Sequence, residues 1–162
     1  LINELQEKKG SEVIQKNQNN LIKNLNYNVK LDNNTEYFIT SELSELKYKD
    51  GFELVNMSNV VAKFRDKSLS EFTITADNAV YNNSNYNTKF SNNVKIIYFD
   101  NVITSENLDL DFNLNIVKIY NNVVYEGITG SGKTDNININ LITKYVEIFM
   151  NNKKNKVELI SK

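Results

Sequence analysis

The chain repeats itself. Ile39-Thr40-Ser41-Glu42, Ile74-Thr75-Ala76-Asp77 and Ile103-Thr104-Ser105-Glu106 open three segments in the same way. The second and third align without gaps at an offset of 29 residues: Ile74 falls on Ile103, Lys89 on Lys118, and Asn92-Asn93-Val94 on Asn121-Asn122-Val123. The same step carries Ser105-Glu106-Asn107-Leu108 onto Thr134-Asp135-Asn136-Ile137. The copy at Ile39 is looser, with a longer unit. A repeat of this length is one supersecondary unit that cannot bury an apolar face alone, so successive copies must stack.

Each unit reads as two strands. Leu108, Leu110, Phe112, Leu114 and Ile116 alternate with polar residues, the period-2 signature of a half-buried strand, and Ile137, Ile139 and Leu141 repeat it. The second strand of a unit carries Phe90, Val94, Ile96 and Tyr98 on one parity. Its counterparts are Val117, Ile119, Val123 and Tyr125, then Val146, Ile148 and Met150. In the first strand the parity flips near Asn78 and Asn107, since Ile74 and Ala76 are followed by Ala79 and Tyr81. A β-bulge at the Asp/Glu-Asn step produces such a flip and bends the strand. The Asn clusters at 82–87, 92–93 and 121–122, with Asp50-Gly51, predict turns. The inward-parity side chains either fill a core or line an apolar groove between two splayed sheets.

Residues 127–134, GITGSGKT, satisfy the Walker A pattern. A working phosphate loop needs a helix directly after its Lys-Thr, whose N-terminal amides hold the phosphates. The chain continues instead with Asp135-Asn136-Ile137-Asn138-Ile139-Asn140-Leu141, an alternating, Asn-rich and β-branched run that favours strand over helix. The expectation is therefore a glycine-bearing turn between strands.

Composition narrows the chemistry further. The 162 residues suit one domain with its own core. Cysteine, histidine, proline and tryptophan are absent, which removes the thiol nucleophile, the disulfide, and the commonest general base and metal ligand. A net charge of −1, with Arg65 the only arginine, argues against nucleic acid as a partner. No catalytic residue, metal site or cofactor is expected. Glu106, Asp109 and Asp111 have the spacing of a polar strand face, and Asn33-Asn34-Thr35 and Asn56-Met57-Ser58 match glycosylation acceptors as an Asn-rich chain will by chance. Residues 1–25 set Leu1-Ile2, Leu5, Val13-Ile14, Leu21-Ile22 and Leu25 in a polar background broken by Gly10, and read as an amphipathic helical or irregular segment or a linker. Strand signals begin at Tyr27-Asn28-Val29-Lys30-Leu31, which sets the domain at 26–162.

The segments EYFITSEL, FELVNMSNVVAKF, FTITADNAVYNNSNYNTKFSNNVKIIY and ITSENLDLDFNLNIVKIYNNVVYEG together resemble the LptC family of periplasmic lipopolysaccharide-export proteins, of the OstA-like group that includes LptA. The shared phrase is a strand ending in Ala-Asp-x-Ala-x-Tyr, a turn, then a strand ending in Asn-Val. Ala76-Asp77-Asn78-Ala79-Val80-Tyr81 and Asn93-Val94 reproduce it, and the likeness runs from about Asn26 to Ile160. The Gly127–Thr134 loop and the Asn-rich turns depart from the family pattern.

The resemblance implies an all-β jellyroll of two facing antiparallel sheets built from repeated hairpins. It implies no catalytic residues. It implies a membrane helix ahead of Leu1 that anchors the protein to the bacterial inner membrane, with the domain in the periplasm. The domain would accept lipopolysaccharide from an inner-membrane ABC transporter and pass it to an LptA-like protein. The groove would then be lined by Ile74, Ala76 and Tyr81, by Phe90, Val94 and Ile96, by Leu108, Leu110 and Phe112, by Ile119 and Val123, and by Ile137, Ile139 and Ile148. Edge strands would join the partners, with Val29 and Leu31 toward the transporter and Val157 and Leu159 toward the LptA-like protein. Covering an acyl chain of a dozen carbons saves on the order of 10 kcal/mol, at about 0.8 kcal/mol per methylene. The alternative is a structural or adhesive β-repeat protein with a filled interior.

Overall fold

The structure, a computed structural model, describes residues 12–16, 19–66 and 69–162. It is all-β, with no helix among the described residues. The strands are β1 (Glu12–Lys16), β2 (Asn19–Lys30), β3 (Thr35–Lys49), β4 (Phe52–Asp66), β5 (Leu69–Asn82), β6 (Thr88–Tyr98), β7 (Asn101–Asp111), β8 (Ile116–Glu126), β9 (Gly130–Asn140), β10 (Val146–Phe149) and β11 (Glu158–Ser161). They form one antiparallel sheet in chain order from β1 to β10, and β11 shares β9 with β10. β10 pairs with Asn136–Ile139 and β11 with Gly130–Lys133.

This single sheet is creased. Along β2, β4, β6 and β8 the crease falls on asparagines with positive φ: Asn24 (50°), Asn59 (51°), the pair Asn92 (65°) and Asn93 (51°), and the pair Asn121 (65°) and Asn122 (54°). Asn is the non-glycine residue that adopts this left-handed conformation most readily, because its short amide bonds locally. On the intervening strands the crease falls on Ser41-Glu42, Ala76-Asp77, Ser105-Glu106 and Thr134-Asp135. The ladder from β5 through β9 shifts register at these same steps. The repeat seen in the sequence is thus the chemistry of one bend. The small residue (Ser41, Ala76, Ser105, Thr134) is buried on the inner side. The carboxylate turns outward and takes an amide proton from the neighbouring strand: Asn59 Nδ2 donates to Glu42 at 2.5 Å, Asn93 Nδ2 to Asp77 at 2.6 Å, and Asn122 Nδ2 to Glu106. Asp135 accepts from the Asn151 amide at 2.8 Å.

The crease divides every long strand between two facing layers. The first layer holds the half-strands that run to the β2–β3, β6–β7 and β8–β9 turns. The second holds those that run to the β3–β4, β5–β6, β7–β8 and β9–β10 turns. Contacts between layers have a constant offset of three strands. Tyr27 of β2 stacks on Tyr81 of β5 with ring centroids 5.2 Å apart. Tyr37 of β3 donates its hydroxyl to Thr88 Oγ1 of β6 at 3.0 Å. Phe64 of β4 stacks on Phe112, just after β7, at 6.3 Å. Tyr27, Tyr37, Ile39, Tyr81, Phe90, Leu108, Leu110 and Ile119 are among the fully buried side chains of the core between the layers. Each such side chain contributes about 1.5–3 kcal/mol by leaving water.

The fold is all-β and jellyroll-like, as expected, and its two facing layers are one sheet folded over, each hairpin serving both. Other expectations are corrected. The amphipathic segment or linker over 1–25 is strand over 12–16 and 19–25, and residues 1–11 lie outside the described residues. Its helix-like spacing has a local cause. Asn24 inserts the bend between the buried Ile22 and Leu25, so inward residues sit three apart. Asn92-Asn93 and Asn121-Asn122 are not turns but bends inside β6 and β8. The strand read through Leu114 to Ile116 ends at Asp111, whose Oδ1 accepts the amides of Asn113 (2.9 Å) and Leu114 (3.0 Å) and turns the chain. Asp50 (φ 51°) and Gly51 (φ 80°) do form the β3–β4 hairpin turn, with the two positive φ values that such a turn requires.

Candidate functional site: an apolar cavity at the open end

The three-strand offset fixes where the interior runs out. The first-layer halves of β2, β3 and β4 lie over β5, β6 and β7 of the second layer. Those of β5, β6 and β7 lie over β8, β9 and β10. Among the described residues nothing remains to lie under β8, β9 and β11. Next to this uncovered end a cavity of about 520 Å³ opens between β5–β7 of the first layer and β8–β10 of the second, with Tyr125 and Leu159 at its uncovered side. Its first-layer wall carries Phe72, Ile74, Ile96, Ile103, Tyr125 and Leu159; its second-layer wall carries Val117, Ile137, Ile139, Val146 and Ile148. Leu141 and Lys144 stand at its mouth on the β9–β10 turn, and among the described residues the lining contains no carboxylate.

The side chains expected to line a groove divide into two sets. Ile74, Ile96, Leu108, Ile137, Ile139 and Ile148 line the cavity. Ala76, Tyr81, Phe90, Val94, Leu110, Ile119 and Val123 are buried in the packed core instead. Phe112 closes the interior over Tyr37, edge to face at 5.2 Å, and over Phe64. The reason is the offset: a residue facing inward on the correct parity meets a filled interior or an open one according to which strand lies opposite. Phe64, Phe72, Ile103, Val146, Val157 and Leu159 also line the cavity, beyond the residues expected to do so. Their alternation marks them as inward-facing, and only the offset places them here.

In the packed half, burial pushes the Tyr27 phenol up to about 12, with the nearby charge of Glu53 adding to the effect. Burial likewise pushes up Tyr37, against a smaller opposite pull from its bond to Thr88, and Tyr81, whose hydroxyl has no hydrogen-bond partner among the described residues. These are neutral, buried phenols and not acid–base groups near a solvent-open site.

The GITGSGKT segment is no phosphate loop. Gly130 to Thr134 lie inside β9, paired with β8 on one side and β11 on the other, and no helix follows. Thr134 repeats Ser105: its Oγ1 reaches the Asn136 carbonyl at 3.4 Å, as Ser105 Oγ reaches that of Asn107 at 3.0 Å. The glycines have a packing role. A Cβ on Gly130 would lie 2.5 Å from the Ile160 carbonyl oxygen, and one on Gly132 2.9 Å from that of Glu158, so side chains there would push β11 away. Among the described residues no cluster of acidic side chains is placed to hold a metal ion. Glu106 and Asp111 instead hold a crease and a turn, and Asp109 accepts from the Tyr120 hydroxyl at 3.2 Å.

The expected partner edges lie as follows. Val29 is fully buried, facing the core from β2. The backbone of 24–30 pairs only with β3, so this half of β2 is an edge among the described residues; Leu31 lies in the turn beyond it. At the other end β10 and β11 form the edge. Leu159 lies on β11, and Val157 precedes it. No helix among the described residues is long and apolar enough to cross a membrane. The sequence matches no known protein-family model and no curated protein.

Proposed function

We propose that this chain carries the acyl chains of a membrane lipid in the open end of its folded sheet. Its LptC-like repeats point to lipopolysaccharide as the cargo, received from an inner-membrane transporter and passed on through an edge strand to an LptA-like neighbour. The observation that carries this reading is the apolar cavity of about 520 Å³ between Ile74 and Ile96 on one layer and Val117 and Ile139 on the other. A lined trough offsets the cost of exposing methylenes to water, about 0.8 kcal/mol each. Among the described residues β10 and β11 pair only with β9, and this outer edge supports the handover, since such edges pair readily with another sheet. The work of lifting lipid from a bilayer belongs to the transporter in this reading.

The test is photo-crosslinking to lipopolysaccharide. Probes at Ile96 and Ile139 should capture it, and probes at the outward-facing Lys118 and Asp111 should not. Equal capture from all four sites would refute the groove. The packed half of the interior favours a second reading, a structural β-repeat protein, and this gains if no probe captures lipid.

A further inference from the structure

We infer that the cavity is a one-chain site for an anionic amphiphile: it takes a single extended acyl chain whose negatively charged head rests at Lys144. This rests on the lipid reading above and narrows it. The first observation is room. A methylene needs about the space of a water molecule, roughly 30 Å³, so a cavity of about 520 Å³ holds on the order of 17 of them. That is one long chain, and a lipid with several chains seats one and leaves the others uncovered.

The second observation is charge. Among the described residues the lining holds two lysines and no carboxylate. Lys133 lies between the inward-facing Gly132 and Thr134, so its side chain turns outward. Lys144 is the cation at the mouth, on the tip of the β9–β10 turn and exposed. Its Nζ donates to the Leu141 carbonyl, which uses one of its three donors and holds the ammonium beside the apolar lining. Among the described residues it has no ion-pair partner. An apolar chamber with an unpaired cation at its rim matches a carboxylate or phosphate on a single hydrocarbon tail.

The test is calorimetric titration of the whole chain with saturated fatty acids of increasing length, each below its micelle concentration, and with monopalmitoyl glycerol as the neutral-headed control. One equivalent should bind. Affinity should rise about fourfold per added methylene, then level off near 17 carbons. Lys144→Glu should weaken palmitate roughly fivefold or more and leave the glycerol ester unchanged. Lys153→Glu, an exposed change outside the lining, should alter neither. Several equivalents bound, or affinity that climbs past 20 or so carbons, overturns the single-chain site. Equal weakening of acid and ester by Lys144→Glu, or of neither, overturns the head-group contact. Lipopolysaccharide captured at Ile96 with no fatty acid bound overturns this inference and leaves the proposed function standing. Fatty acid bound with no lipopolysaccharide captured keeps the one-chain site and removes lipopolysaccharide as the cargo. Failure of both removes both.

Discussion

Tyr37 and Tyr81 share one packed interior, but their hydroxyls fare differently. Tyr37 donates to Thr88 Oγ1, whereas the Tyr81 hydroxyl is buried without a partner among the described residues. Removing a satisfied hydroxyl loses the bond, although Thr88 Oγ1 keeps its own bond to the Tyr86 carbonyl at 3.0 Å, whereas removing an unsatisfied one relieves a desolvation cost. Tyr37→Phe is therefore expected to destabilise by about 1 kcal/mol, and Tyr81→Phe to be neutral or stabilising, both read from denaturant midpoints. The same burial sets an alkaline limit. Unfolded, these phenols titrate near 10; folded, Tyr27 is held to about 12 and Tyr37 and Tyr81 are also raised. Above pH 10 the unfolded chain thus binds fewer protons than the folded one, and stability falls with rising pH. The Tyr27 contribution is intact below pH 10 and drains away between 10 and about 12. Tyrosinate absorbance of these buried residues should jump together with loss of β-sheet circular dichroism. A smooth titration of all nine tyrosines near 10 in a chain that stays folded would contradict this.

At the scale of the element, the crease depends on left-handed residues. Asn122 has φ 54° and bonds to Glu106 across the strand pair. Asn122→Ala keeps a Cβ in that conformation without the amide that eases it, a strain of up to roughly 1–2 kcal/mol, and loses the bond. Asn122→Gly loses only the bond. The glycine variant should be the more stable of the two in denaturant melts, and the reverse order would mean the bend does not require the left-handed backbone. Gly130→Ala tests another contact: the added Cβ meets the Ile160 carbonyl, so β11 should detach and its amides should exchange faster while the global midpoint moves little. These elements were unequally legible in the sequence. Alternation marked β7, β8 and β9, and Asp50-Gly51 marked its hairpin. The crease was legible only as a parity flip at Asn78 and Asn107. In β2 it was hidden, because one bent residue between Ile22 and Leu25 mimics helical spacing. Asn92-Asn93 and Asn121-Asn122 read as turns because the conformation that closes a turn also bends a strand.

At the scale of the molecule, the interior has two regimes. Phe90→Ala and Leu110→Ala should each cost about 3–5 kcal/mol, since they open voids between well-packed layers. Ile103→Ala and Ile139→Ala, in the cavity wall, should cost markedly less, because they enlarge a space that is already open. Comparable losses at all four positions would mean that the open end is as tightly packed as the rest. Local pattern gave no sign of this division. Tyr81 and Ile96 both face inward, and only the way the layers stack puts the first beneath Tyr27 and the second on the wall of the cavity.

The crease also separates the molecule's girth from its span. Every hairpin crosses the fold line, so each 29-residue unit brings a floor strip and a roof strip already joined. Duplicating or deleting such a unit would lengthen or shorten the vault by a fixed increment and leave its cross-section alone. The distance this architecture covers can therefore change through whole-unit copying, much as a colonnade grows by adding bays.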